Sequence, residues 1–139
     1  MAYIIGIVLA VAVAIFGRIS HFDRDRSFYP TLLIVIGSIY VLFATMSGST
    51  ETVLTESIGM VAFATAAVIG FRNSAWIVVA GLAGHGIFDF VHGNLIANSG
   101  VPAFWPAFCG SYDVVAAAGL AWILNRPAIA STASGGGRK

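Results

Sequence analysis

Apolar residues in this chain fall into five long runs, near residues 2–20, 29–47, 52–71, 75–93 and 105–125, separated by short polar or glycine-containing turns. Runs this long read as membrane-spanning helices, because at about 1.5 Å per residue some 20 residues are needed to cross a hydrocarbon layer about 30 Å thick. The cleanest apolar cores of the third and fifth runs, 58–71 and 114–124, fall short of that length, since 14 residues cover only about 21 Å. The third helix must therefore start near Thr52 and the fifth near Pro106, where proline suits a first helical turn. Extending the two helices in this way draws Glu56 and Asp113 into the membrane zone.

Composition turns this pattern into a fold class. With 139 residues, 58% hydrophobic and 9% charged, the chain has too few polar groups to coat a water-exposed surface. The expectation is an all-α, polytopic transmembrane bundle of five spans forming one domain over residues 1–130. The small, polar residues 131–139, STASGGGRK, are expected to form a flexible tail. A net charge of +1 gives no reason to expect nucleic acid as a partner; the expected surroundings are the lipid bilayer. Cys109 is the single cysteine and has no partner for an intrachain disulfide. Only Met1 precedes the first run, so the basic start of a cleavable signal is missing and the first helix is expected to be retained.

Charge then orients the bundle. Arg18, Arg24 and Arg26 lie between the first and second runs, Arg72 between the third and fourth, and Arg126, Arg138 and Lys139 after the fifth. The other turns, 48–51 and 94–104, have no lysine or arginine. The positive-inside rule accordingly predicts an outside N-terminus and a cytoplasmic C-terminus. Trp76, Trp122, Phe28 and Tyr29 would form the inner aromatic belt, and Tyr3, Phe104 and Trp105 the outer one. Small residues at Ala62, Ala66 and Gly70, at Ala80 and Gly84, and from Ala116 to Gly119 predict close packing of the third, fourth and fifth helices.

Against this background the stretch GHGIFDFVHG, residues 84–93, is anomalous. At about 100° per residue His85, Asp89 and His92 lie within roughly 60° of one another around a helix, forming one polar stripe. Glu56 and Asp113 fall at similar depth on the neighbouring spans, with Tyr112 and Cys109 close by. Ionisable groups in lipid cost at least about 2.5–3.5 kcal/mol each, so they are expected to converge inside the bundle. Asp89 and His92 have the i, i+3 spacing of carboxylate–histidine metal ligands, and His85 and Asp89 the i, i+4 spacing. His85, Asp89, His92, Glu56 and Asp113 are therefore candidate ligands for a divalent ion, zinc, iron or manganese, in a site opening outward. About 10.5 Å of helix rise between His85 and His92 makes joint ligation of one ion marginal, so Asp89 is expected to pair with one histidine at a time, with Glu56 or Asp113 as the remaining ligand. Tyr112 and Trp105 are candidate substrate contacts. An ion with an open position could activate water or bind oxygen. A hydrogen-bonded network without an ion, or a proton path, would use the same groups, although the inner halves of these helices offer a relay no continuing ionisable residues. In the first turn, RISHFDRDRSFYP, His21 and Asp23 are too few to hold a metal, and charge pairing fits better. Cys109 and Ser111 lack the surroundings of a nucleophile and read as packing residues.

GHGIFDFVHG followed by VPAFWPAFCGSYDV resembles small multi-pass bacterial membrane proteins grouped as a family of unknown function. That resemblance covers the second half best; it implies a small helical bundle, in a bacterial inner (cytoplasmic) membrane, and supplies no activity. A remoter likeness is to membrane-embedded zinc hydrolases that act on lipids, which gather histidines and an aspartate near one membrane face. The chain departs from them in its five predicted spans and three histidines, His21 lying across the membrane from the other two. Two functions follow as expectations. One is a metal-dependent hydrolysis or oxidation of a lipid or other apolar substrate at the outward-facing site. The other is a non-catalytic accessory subunit of a larger membrane complex or homo-oligomer.

Overall fold

The computed structural model describes residues 1–47 and 49–126. The expected tail, 131–139, and Gly48 of the second turn lie outside the described residues. The helices are α1 (Ala2–Ile19), α2 (Phe28–Ser47), α3 (Thr50–Arg72), α4 (Ala75–Leu95) and α5 (Trp105–Asn125), with a short 3-10 turn at Phe22–Arg24 between α1 and α2. Among the described residues there is no strand. All five helices are long and apolar enough to cross a membrane, as a multi-pass membrane protein requires.

Local chemistry sets the helix ends. Ser49 caps α3, its Oγ accepting from the Thr52 N–H at 3.2 Å, and Ser74 caps α4 through the Trp76 N–H at 3.4 Å. Pro106 sits in the first turn of α5, where its missing N–H leaves no bond unmade. In the first turn, His21 takes a left-handed backbone at φ 62° and lets the chain reverse. The charges there pair differently from their order in sequence: Asp23 accepts from Arg18 Nη1 at 3.0 Å rather than from the flanking arginines, and Asp25 accepts from the Ser27 N–H at 2.9 Å. That last bond holds the Asp25 carboxyl below its ordinary range.

Neighbours in the bundle are α1 with α5, α5 with α4, α4 with α3, and α3 with α2. Helix α4 is central. Its buried positions Val78, Leu82, His85, Asp89 and His92 repeat at intervals of four and three, one continuous inward stripe. Leu33, Ile36 and Tyr40 on α2, Glu56 and Ala67 on α3, and Cys109, Asp113, Ala116 and Leu120 on α5 supply the facing surfaces. Large apolar side chains on the outer faces, such as Ile4, Val8 and Ile15 of α1, are exposed, as lipid contact demands.

Close approach depends on glycine, although not at every expected position. A Cβ on Gly86 would lie 3.1 Å from the Gly110 carbonyl oxygen, so α4 and α5 touch nearly backbone to backbone. A Cβ on Gly6 would collide with the Phe108 carbonyl, which seats α1 against α5. The third helix packs on α2 and α4, α4 packs on α5 as expected, and α1 lies on the other side of α5. On α3, the inward face is Glu56, Phe63, Ala67 and Gly70, and Ala62 is exposed. A Cβ on Gly84 or Gly119 meets nothing within 4 Å, so these two glycines serve no tight contact.

Candidate functional site

The stripe on α4 meets α5 halfway along the contact between them, and a cluster forms there. His85 Nδ1 lies 2.7 Å from Asp113 Oδ2 and 3.7 Å from Asp89 Oδ2. Asp89 Oδ1 accepts a 2.7 Å hydrogen bond from the Tyr40 hydroxyl of α2. Cys109, one turn before Asp113 on α5, completes the group: one ligand atom from each of His85, Asp89, Cys109 and Asp113 falls within 4.8 Å of the others. All four are buried, at 1%, 1%, 3% and 0% exposure respectively. The Phe63 ring stands edge-on to the His85 imidazole at 4.6 Å and closes the α3 side.

A second polar group lies toward the end of α4. His92 Nε2 and Glu56 Oε1 are 2.8 Å apart, both buried. Asn98, in the connection between α4 and α5, donates through Nδ2 to the same Glu56 oxygen at 2.8 Å and to the Tyr40 carbonyl at 3.2 Å. Tyr40 joins the two groups, because its ring stacks on His92 at 3.9 Å while its hydroxyl bonds Asp89.

The five candidate ligands are thus all buried, but they separate into two sets. His85, Asp89 and Asp113 come together with Cys109, which sequence reasoning treated as a packing residue. Glu56 and His92 instead pair with each other and stand outside the four-residue group. The two expected substrate contacts are also elsewhere. Tyr112 lines a narrow space of about 10 Å³ with Ala10, Val13 and Tyr29. Trp105 packs edge-on to Phe43 at 5.0 Å, near the end of α2. Ser111 has a packing role, its hydroxyl reaching the carbonyls of Tyr3 at 3.1 Å and Phe108 at 3.0 Å. Tyr40 and Asn98 are the contributors that sequence reasoning missed. Tyr40 carries a signal in hindsight, as a phenol in the middle of an apolar run; Asn98 sits in a turn where an amide attracts no notice.

No family model, curated protein or solved structure matches this chain. Its chemistry must be read from the site itself.

Three atoms of the cluster are buried without any hydrogen-bond partner: His85 Nε2, Asp89 Oδ2 and Asp113 Oδ1. Buried polar atoms left unmatched cost about 1–3 kcal/mol each, and more when charged. Two carboxyl groups and a thiol beside one imidazole also lack charge balance, and bare charge away from water costs several kcal/mol per ion. Protons or a cation must neutralise them. Bond lengths of 2.0–2.3 Å to a tetrahedral ion put neighbouring ligand atoms about 3.3–3.8 Å apart. The 3.7 Å separation of His85 Nδ1 from Asp89 Oδ2 falls within that range, while the 2.7 Å contact with Asp113 Oδ2 is a hydrogen bond that would lengthen around an ion. This buried group could hold a metal ion. Glu56 and His92, by contrast, already satisfy each other.

Proposed function

We propose that the chain is an integral membrane metal-binding protein, in which His85, Asp89, Cys109 and Asp113 hold one divalent ion between α4 and α5. The observation carrying this reading is the buried gathering of one imidazole, two carboxyl groups and a thiol, with ligand atoms within 4.8 Å of one another and with Asp89 Oδ2 and Asp113 Oδ1 left without a hydrogen-bond partner. A thiol among the donors favours zinc or iron over manganese, because thiolate is a soft ligand. Four protein groups with at most 3% exposure suit a closed site that stabilises the fold. Hydrolysis or oxidation of an apolar substrate would need an open coordination position and an entry route, so the burial favours the non-catalytic reading. The chain then serves as a metal-stapled component of a larger membrane assembly. The one-sided arginines support an outside N-terminus and a cytoplasmic C-terminus, and the likeness of GHGIFDFVHG to bacterial proteins supports the inner membrane.

Elemental analysis of protein purified without chelator tests the metal. Wild type should carry one divalent ion per chain. Cys109→Ala and Asp113→Asn should lose it, while Glu56→Gln should keep it. A wild-type protein free of stoichiometric metal and indifferent to chelator would sink the proposal.

A further inference from the structure

The end of the bundle that carries Arg18 and Arg126 also carries an open groove between α1 and α5. It encloses about 460 Å³, within the range of about 300–1,000 Å³ common for ligand sites. Its walls are apolar, built from Val11, Ile15, Val115, Ala118 and Trp122. Gly119 also lines it, and since a Cβ there meets nothing within 4 Å, the groove is open at that point.

Both arginines line the mouth of this groove. The Arg126 guanidinium lies 3.5 Å over the Trp122 ring, which holds it against the apolar wall. Arg18 gives Nη1 to Asp23 at 3.0 Å, yet its side chain remains 59% exposed. A guanidinium has five N–H donors, so that single bond leaves most of them for an anion. Two arginines against one aspartate leave the mouth with a net positive charge. An apolar slot lined by two guanidinium groups matches an amphiphile with an apolar tail and an anionic head, and basic pockets between membrane helices recognise such headgroups.

We infer that this groove binds an anionic phospholipid, one acyl chain lying between α1 and α5 and the phosphate on Arg18 and Arg126. The site is separate from the His85 cluster and does not depend on a metal there.

Native mass spectrometry of the full chain, equilibrated with phosphatidylglycerol or phosphatidylcholine of matched acyl chains, reads the effect. Wild type should retain phosphatidylglycerol preferentially. An arginine near the surface contributes about 5-fold in affinity for anionic lipid, so Arg18→Gln with Arg126→Gln should reduce the preference by about 25-fold. Arg26→Gln with Arg72→Gln removes the same charge outside the groove and should leave most of the preference intact. Gly119→Leu keeps every charge but fills the slot, and should lower retention of both lipids. Equal losses from the two arginine pairs would mean diffuse surface charge, and would overturn the inference. So would full retention in Gly119→Leu, or a wild-type dimer that Gly119→Leu dissociates, which would mean that a second copy fills the groove.

Discussion

Replacing Tyr40 by Phe removes one oxygen atom from the centre of the bundle and tests how far the cluster depends on it. The ring, and with it the 3.9 Å stack on His92, remains in place. What disappears is the 2.7 Å donor to Asp89 Oδ1. Asp89 Oδ2 already has no partner, so the variant leaves a fully buried carboxyl group without a hydrogen-bond donor from α2. A hydrogen bond to a charged group is worth about 1.5–3 kcal/mol, against about 1 kcal/mol for a neutral pair. Tyr40→Phe should therefore lower unfolding free energy by about 1.5–3 kcal/mol, measured by titrating detergent-solubilised protein with denaturing detergent. Groups that orient a metal ligand from behind typically matter 10-fold to 100-fold in affinity, so competition with a chelating dye should show a loss of about that size. A variant matching wild type in both measurements would refute the assignment of Tyr40 as the residue that positions Asp89.

Glu56→Gln keeps the shape of the second pair but removes its charge, and should cost about 1–3 kcal/mol in the same unfolding assay with metal content unchanged; coupled loss of metal would merge the two sets into one. Gly6→Leu should detach α1 from α5 through its clash with the Phe108 carbonyl, read as a loss of stability in the same unfolding assay, whereas Gly84→Ala should cost nothing, because its Cβ meets open space and alanine suits a helix better than glycine; a Gly6→Leu variant as stable as wild type would refute the seat of α1 on α5. In a Cys109→Ala background, a cysteine at Ser99 should react with an impermeant reagent from outside and one at Asn73 should not; the reverse pattern would invert the topology.

Hydropathy and spacing act locally, and what they control was legible along the chain. The five helices were readable because a membrane demands about 20 apolar residues whatever the neighbours are. The stripe of His85, Asp89 and His92 was readable because helical periodicity sets which residues of one helix share a face. Even the burial of Glu56 and Asp113 followed from the cost of charge in lipid. Periodicity within one helix says nothing about how that helix is rotated against another. Which carboxylate meets which histidine depends on relative rotation and depth, and those were decided by the near-contact of Gly86 with Gly110 and by the seat of α1 on α5. That packing brings Cys109 to Asp89, a separation of 20 positions, and Tyr40 to Asp89 across 49. The separation of His85 from His92, about 10.5 Å along the axis of α4, was legible from spacing alone; which carboxylate each one meets was not. At that distance each histidine takes the carboxylate that its own neighbouring helix presents, Asp113 from α5 for His85 and Glu56 from α3 for His92.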